Sequence, residues 1–459
     1  MRRGITALLI GTLAGCSLAP AYERPAAPIP PAFPQGQAYA SPTQGVLPSV
    51  SYRDLFRDPR LQTLIYEALA NNRDLRIAAA NLAAARAQVT VTRSAQFPEV
   101  GANGSATYRR GSGMNYALQG GVSSFELDLF GRLANASAAQ RERALASEAD
   151  ARTVRIGLVA DLTEAWVTYA QDRDLLTIAE QTAANATKAV QLTQLRLRGG
   201  IAPRTDLSQA QQVLDTAQGD VAQQKAALAQ DVNLIRLLVG TDVDPSLLPG
   251  SLAEIDGKFA ALAPGTSSEV LLLRPDVEQA EHQLKAANAD IGVARAELFP
   301  NISLTGLLGL ASSALGSLFT GGAFTATAGA NAGYTLFDAG GRRANVRISE
   351  AQRNAALASY EKAIQSAFRE VSDVLAVRGT IGDRLAAARA NTAAAADTAR
   401  LTDARYREGI ENFLASLDAQ RSLYAARRQE AAVTAAELQN LVELYRALGA
   451  DTFAAGGGS

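Results

Sequence analysis

The sequence contains very few of the residues on which most enzyme and metal chemistry depends. Its 459 residues include one cysteine, Cys16, and one histidine, His282. A single cysteine excludes an internal disulfide. One cysteine and one histidine also leave few residues for a transition-metal site or a Cys–His dyad. None of the Gly-Gly pairs is followed by a lysine or stands in a dinucleotide-binding context. We therefore expect no enzyme activity, no metal and no soluble cofactor.

The sequence also lacks a charge excess and, after its first residues, a long apolar run. The formal net charge is −1, so no positive field would attract nucleic acid. No later run of about 18 apolar residues occurs, and no transmembrane helix is expected. If such a chain is membrane-bound, it is either a periplasmic body on a lipid anchor or a protein that crosses the bilayer as a β-barrel.

The N-terminus has the pattern of a bacterial lipoprotein signal. Arg2 and Arg3 precede a short apolar run, which ends in Leu13-Ala14-Gly15-Cys16. We expect residues 1–15 to be a signal peptide and Cys16 to carry a diacylglycerol and an N-acyl (palmitate-type) chain. Ser17, rather than Asp, follows the cysteine, which favours the outer membrane. The alternative is an ordinary signal peptide with an incidental cysteine.

The rest of the chain repeats one pattern. Each half reads as short helix, two strands, long helix, tip and returning long helix. Phe97 and Phe299, each before a proline, lie 202 positions apart, and Gly200 and Gly409 lie 209 apart. The predicted divisions are a lipidated linker 16–57; a first repeat 58–239, with strands about 99–129 and helical hairpin 131–239; an insertion 240–270; a second repeat 271–449, with strands about 301–337 and hairpin 340–448; and a tail 450–459.

The predicted strands alternate between apolar and small polar residues. In the run from Phe324 to Leu336, Ala and Tyr alternate with Thr and Asn. A membrane barrel requires this alternation, since one face meets lipid and the other meets water. A soluble four-stranded sheet is the alternative. Four strands cannot enclose a water-filled pore, so a barrel would need several copies, and three would supply twelve strands.

Several short motifs, in this order and spacing, resemble the outer-membrane efflux family, the TolC-like exit ducts, and most of all its lipoprotein branch. The resemblance covers nearly the whole mature chain. It rests on these segments: 13–16, LAGC; 54–61, DLFRDPRL; 72–75, NRDL; 274–277, RPDV; 291–295, IGVAR, with Phe299-Pro300; 336–341, LFDAGG; 405–410, RYREGI; and 417–421, LDAQR.

The resemblance implies a mixed α and transmembrane β fold. It implies a homotrimer with a 12-stranded outer-membrane β-barrel, four strands per protomer, and a long periplasmic α-helical barrel. Implied partners are a periplasmic adaptor protein, a proton-driven inner-membrane transporter and outer-membrane lipid. The implied function is passive export of drugs or other small molecules, contributing to multidrug resistance. An exit duct for type I protein secretion and a lipid-tethered periplasmic scaffold without a pore are the alternatives.

The second hairpin tip provides the parts of a gate. Leu414 and Asp418 are four residues apart and so share one helix face. By resemblance, they would form an apolar constriction and an acidic ring in a trimer, and Asp206 and Arg407 would pair across the tips in the closed state. The alternatives are a packed leucine, a solvated carboxylate and an exposed ion pair worth at most about 1 kcal/mol.

The turns of the two hairpins are the predicted adaptor contacts. Gly199, Gly200 and Ile201 form the first turn, and Gly409 and Ile410 form the second. Simple turns with no partner are the alternative. The expected location is the bacterial outer membrane, where the chain is lipid-anchored and extends into the periplasm.

Overall fold

The computed structural model describes residues 17–36, 38–39, 51–260 and 267–449. The predicted signal peptide, Cys16 and the 450–459 tail lie outside the described residues. Helices dominate the described part. They are α1 (Tyr52–Leu55), α2 (Pro59–Asn71), α3 (Arg73–Ser94), α4 (Arg132–Arg198), α5 (Arg204–Val239), α6 (Leu252–Ile255), α7 (Pro275–Ala296), α8 (Gly341–Arg407) and α9 (Phe413–Leu448), with short 3-10 turns at Pro245–Leu247, Ser268–Leu273 and Leu315–Ser317.

The helix lengths repeat. The helices α4 and α8 each have 67 residues, α5 and α9 each have 36, and α3 and α7 each have 22. A 67-residue helix is about 100 Å long at 1.5 Å per residue. Within the described ranges, no helix combines the length and the apolar character needed to cross a bilayer. The matched lengths are those expected for an internal duplication.

Local signals set the helix boundaries. The side chain of Asp58 accepts a hydrogen bond from the Arg60 amide, and Pro59 fills the first helical position of α2. Gly240 ends α5 at φ +81°, and a Cβ there would lie 2.6 Å from the carbonyl oxygen of Asn71. Glycine is therefore required at this stop on two grounds, backbone conformation and space.

One antiparallel sheet contains all four strands, in the order β1 (Val100–Arg109), β2 (Gly113–Glu126), β3 (Asn301–Ser312) and β4 (Phe324–Gly333). The two predicted hairpins thus join through β2 and β3. Gly121 and Gly306 bring these strands close, because a Cβ on Gly121 would lie 2.2 Å from the Gly306 carbonyl oxygen. The pairing register shifts between Val122 and Phe125.

The register sorts the side chains by polarity. One row across the sheet contains Ala102, Gly120, Leu308 and Ala326, and the next contains Asn103, Gln119, Gly309 and Thr325. Successive rows point to opposite faces. Every residue of β1 is exposed, and Leu308 is 60 % exposed. Because a soluble sheet buries its apolar face, these observations oppose the soluble-sheet alternative.

The chain forms two compact units. Counting only the described residues, the first contains residues 17–27, 79–150 and 276–363, and the second contains those within 28–78, 151–275 and 364–449. Each unit therefore draws on both repeats. The buried core of the first unit includes Leu133, Leu284, Ile291 and Tyr360, and that of the second includes Phe56, Leu61, Leu64, Trp166 and Tyr445.

The N-terminal segment, Ser17–Arg24, lies along α7 in the first unit. Glu281 binds the Arg24 guanidinium at 2.5 Å and accepts a hydrogen bond from the Tyr22 hydroxyl at 3.1 Å. Further along α7, Asn288 donates to the backbone carbonyl of Pro20 at 2.7 Å. The residues that follow the predicted lipidation site are thus part of the folded unit.

Candidate functional site

The two hairpins turn through the same backbone motif. Gly200 and Gly409 have φ values of +74° and +76°. The amides of Ile201 and Ile410 each donate to the carbonyl five residues earlier, at 2.8 and 2.9 Å. This is the Schellman arrangement, which satisfies carbonyls left unpaired at a helix end. The side chains of Ile201 and Ile410 are 78 % and 66 % exposed, so both apolar residues are available to a partner of this chain.

A cation–π contact joins the ends of the two long helices. The Arg196 guanidinium carbon lies 4.3 Å from the ring centre of Tyr406. The same guanidinium donates two hydrogen bonds of 3.4 Å, to the carbonyl oxygens of Tyr406 and Arg407. A cation at a helix C-terminus is stabilised by the unpaired carbonyls there. Arg196 at the end of α4 is therefore bound to the end of α8.

An apolar cluster lies beneath this contact. Ala210, Tyr406, Phe413 and Leu417 are all buried, and the rings of Tyr406 and Phe413 are tilted with centres 5.5 Å apart. These residues come from α5, α8 and α9, so the cluster packs parts of both hairpins together. The helix ends next to the tips are therefore packed through buried apolar side chains, whereas the turns themselves are exposed.

The structure places the two predicted gate residues on the accessible surface of α9. Leu414 is the second residue of the helix and is 50 % exposed. The Asp418 side chain is 63 % exposed and lies 3.9 Å from the Arg421 guanidinium. Neither side chain is used in the apolar cluster of this chain. Both are therefore free to form rings in an oligomer, and their roles as constriction and acidic ring stay predictions.

The predicted pair of Asp206 with Arg407 is not formed. Arg407 instead binds Asp403, one turn earlier on α8, at 2.7 Å. Asp206 lies in the first turn of α5, and among the described residues its carboxylate has no ion-pair partner. The reason is local helix geometry, because residues four apart are already neighbours and need no rearrangement of the tips to meet.

Sequence reasoning missed Arg196 and Tyr406. A signal for them existed: Arg196 and Arg198 repeat 209 positions later as Arg405 and Arg407, so each long helix ends in an Arg-x-Arg motif. The repeated motif indicated that the two helix ends share a common arrangement. It did not show that Arg196 would reach across to the other hairpin.

A carboxyl pair in the second unit was also missed. Asp172 on α4 and Asp231 on α5 lie close enough for their carboxyl groups to interact. Burial, together with the charge of Asp172, raises the pKa of Asp231 to about 6. Burial likewise raises the pKa of Asp172. Two carboxyl groups this close share a proton more readily than they both ionise.

His282 is used for structure within the first unit. Its Nδ1 lies 2.7 Å from a carboxylate oxygen of Glu142. Among the described residues, no group of three or more His, Cys, Asp or Glu side chains is arranged to hold a metal ion.

Comparison with known proteins identifies the family. The profile of the outer membrane efflux protein family matches residues 64–241 and 266–450. A probable efflux pump outer membrane protein, TtgC of Pseudomonas putida, is 40 % identical over 97 % of this chain and 94 % of its own length. The chain belongs to the outer membrane efflux protein family.

Two further members show the same likeness. The cation efflux system protein CusC of Escherichia coli is 37 % identical, over 95 % of this chain and 96 % of its own. The open state of the MtrE channel of Neisseria gonorrhoeae superimposes with a TM-score of 0.85 at 31 % identity, covering 95 % of this chain and 98 % of that one. This efflux protein thus has the predicted TolC-like fold and is an outer-membrane channel of an efflux pump.

Proposed function

We propose that this efflux protein works as a homotrimer in which twelve strands close one barrel. The observation that carries this is the open sheet. The outer strands β1 and β4 each pair on one side only, and β1 is exposed along its whole length. An unpaired strand edge is a template for another chain. Pairing of β4 with β1 of the next copy, repeated three times, removes every edge.

The apolar rows would then face lipid and the polar rows would line the pore. The row that contains Leu308 would be outside, and the row that contains Asn103 and Gln119 would be inside. Single-channel recording of the purified protein tests this proposal directly. We expect a steady conductance, and we expect the purified particle to have the mass of three protomers. A monomer without conductance would overturn the proposal.

The periplasmic gate is proposed to lie at the tips. Three copies of Leu414 would form an apolar constriction that excludes water, and three copies of Asp418 would form an acidic ring that binds cations. Support comes from the exposure of both side chains on one face of α9. Asp418→Ala should weaken block by trivalent cations, whereas an unchanged block would remove Asp418 from the pore.

Asp206 and Arg407 are proposed to contribute to the closed gate through a rearrangement, since Arg407 binds Asp403 in this structure. If they pair on closing, Asp206→Ala and Arg407→Ala trimers should each open more often than wild type, and the double variant should add nothing. Additive effects would show that the two residues act separately.

The partners are proposed to be a periplasmic adaptor and a proton-driven inner-membrane transporter. The exposed turns at Gly199–Ile201 and at Gly409 and Ile410 would contact the adaptor. Ile201→Asp and Ile410→Asp should reduce adaptor capture without changing conductance, because neither side chain packs in the tip cluster. Toluene and cations are named as cargo of relatives, and we propose small molecules of this size range as cargo here.

Lipidation of Cys16 is proposed to anchor the chain in the outer membrane. The support is the lipoprotein-type sequence together with the ordered segment that follows it, Ser17–Arg24. Mass spectrometry of the purified N-terminal peptide should show a diacylglycerol and an N-acyl chain. An unmodified Cys16, or processing at another residue, would contradict the proposal.

A further inference from the structure

A groove in the second unit, above the tips, has a strongly positive lining. It lies between α4, α8 and α9 and has a volume of about 600 Å³. Five cationic side chains line it: Lys188, Arg196, Arg400, Arg407 and Arg427. Among the described residues, Asp403 is the one acidic side chain in the lining. We call this site the cationic groove.

Part of this charge is already compensated. Arg400 binds Asp397 at 2.6 Å and Arg407 binds Asp403 at 2.7 Å. Lys188 has no ion-pair partner within the described part of the chain, and Arg427 contacts the neutral side chain of Gln181 at 3.4 Å. The cationic groove therefore retains a net positive charge, in a protein whose net charge is −1.

A residue that lines the groove carries an unused hydrogen-bond donor, which is buried behind the groove surface. Tyr406 lines it and is only 7 % exposed, and its hydroxyl is buried without a hydrogen-bond partner in the described residues. A buried hydroxyl of this kind is costly to leave unpaired, and in native proteins such groups call for a specific explanation. A bound acceptor would remove the cost.

The remaining lining is mixed. Leu192, Ala399, Phe413 and Leu423 supply apolar surface, and Asn185 and Gln420 are among the neutral polar residues. A volume of this size, with apolar surface beside convergent polar groups, suits a small organic ligand. Arginine favours carboxylate and sulfonate groups, with which it makes paired hydrogen bonds.

We propose that the cationic groove binds an organic anion of drug size, with its acid group among Arg196, Lys188 and Arg427 and its apolar body against Phe413 and Leu423. Such a ligand would connect α4 with α8 and α9. Its acid group would also accept the hydrogen bond that Tyr406 has to offer. This site is separate from the exposed turns proposed to contact the adaptor, and the proposal does not depend on that contact.

The test uses the full-length channel in lipid nanodiscs and calorimetric titration with naphthalene-1-sulfonate. Its neutral analogue, 1-naphthol, is titrated in parallel to measure apolar binding alone. We expect one sulfonate per protomer, binding at least about tenfold more tightly than 1-naphthol, because charge-assisted hydrogen bonds are the stronger kind. The affinity for the sulfonate should fall severalfold as the sodium chloride concentration rises from 50 to 500 mM, because salt screens exposed charge.

Three variants separate binding from folding. Tyr406→Phe keeps the ring that supports Arg196 and removes only the unpaired hydroxyl, so the protein should remain folded while sulfonate binding weakens about threefold or more. Lys188→Gln and Arg427→Gln should each weaken binding about threefold. Lys225→Gln removes a positive charge from α5, outside the groove, and should leave binding unchanged.

Equal binding of the sulfonate and 1-naphthol would overturn the proposal, as would unchanged binding by Tyr406→Phe and Lys188→Gln. Absence of sulfonate binding together with weaker adaptor capture by Lys188→Gln would also overturn it. That result would assign the cationic groove to a protein partner.

Discussion

The guanidinium carbon of Arg196 lies 4.3 Å from the ring centre of Tyr406, and this contact joins the ends of α4 and α8. Both long helices end at exposed turns, so this contact is where the two hairpins restrain each other's tips. The restraint is modest, since a partly exposed cation–π contact contributes about 0.5–1 kcal/mol.

The first prediction concerns this restraint. Arg196→Gln should destabilise the joined tips by about 1–2 kcal/mol, because it removes both the cation–π contact and the bonds to two carbonyls. Hydrogen exchange of the amides in residues 199–202 and 408–412 should become about 5–30 times faster. Lys225→Gln is the charge-matched control. Unchanged exchange at both tips would show that Arg196 does not restrain them.

The second prediction concerns Asp403. Its ion pair with Arg407 lies within one helix and is largely exposed, so Asp403→Ala should change the free energy of unfolding by no more than about 0.5 kcal/mol. It should nevertheless free Arg407 to reach Asp206. We expect fewer channel openings in bilayer recordings, whereas Asp403→Ala/Asp206→Ala should open as often as Asp206→Ala alone. More frequent openings in the single variant would contradict this.

The third prediction concerns the pH dependence of stability. The pKa of Asp231 is raised from its usual 3.8 to about 6, so the folded chain holds a proton that the unfolded chain has released. Stability from this group is therefore greatest below about pH 4 and is lost as the pH rises through 6. Asp231→Asn should raise the stability at pH 7.5 by about 1–2 kcal/mol, after allowance for solvent screening.

Thermal unfolding of the detergent-solubilised protein between pH 4 and pH 8 measures this effect. Wild type should lose stability across the range more steeply than Asp231→Asn. Other acidic and basic groups lie near Asp231. Asp161, Glu164 and Glu443 line the same cavity, Arg446 binds Asp161 and Glu164, and Asp172 interacts with Asp231. Parallel curves for the two proteins would show that Asp231 does not hold the proton.

The fourth prediction concerns the N-terminal segment. A Cβ on Gly292 would lie 2.8 Å from the Ala19 amide and 2.5 Å from the Asn135 side chain. Gly292→Ala should displace residues 17–24 from α7 at a cost of about 1–3 kcal/mol, because a close-packed site cannot accept the added methyl group. Endoproteinase Glu-C should then cleave after Glu23 faster than in wild type.

Gly157→Ala is the matched control, since Gly157 also lies within a long helix and a Cβ there meets no atom within 4 Å. It should be neutral or stabilising. Equal cleavage after Glu23 in wild type and Gly292→Ala would show that this segment tolerates the added methyl group.

The fifth prediction concerns the two faces of the sheet. Leu308→Arg should reduce insertion into the outer membrane strongly, because an arginine that faces the bilayer midplane costs about 2–4 kcal/mol. Asn103→Arg, on the next row, should insert normally and alter ion selectivity. Outer-membrane fractionation and bilayer recordings measure the two effects. Equal insertion of both variants would show that the apolar row does not face lipid.

The sequence alone was sufficient to predict the helices and strands and their repetition. The hairpin placed at 340–448 from the sequence corresponds to α8 (Gly341–Arg407) and α9 (Phe413–Leu448). These boundaries depend on signals within a few residues: proline and glycine stops, capping side chains and period-two alternation. A duplicated chain contains such signals twice, so a boundary predicted in one repeat can be checked against the same position in the other.

The tertiary structure decided which side chains meet. In this structure Arg407 binds Asp403, Arg196 crosses to Tyr406 and Asp172 lies beside Asp231. Pairing of Arg407 with Asp206 in the closed state stays a prediction. Such contacts depend on how far each helix is rotated about its axis and on the relative height of the two tips. Helical periodicity in an alanine-rich sequence leaves that rotation undetermined, because small side chains allow close packing on several faces. The helices and strands are therefore local consequences of the sequence, whereas the contacts at the tips are set by the packing of one hairpin against the other.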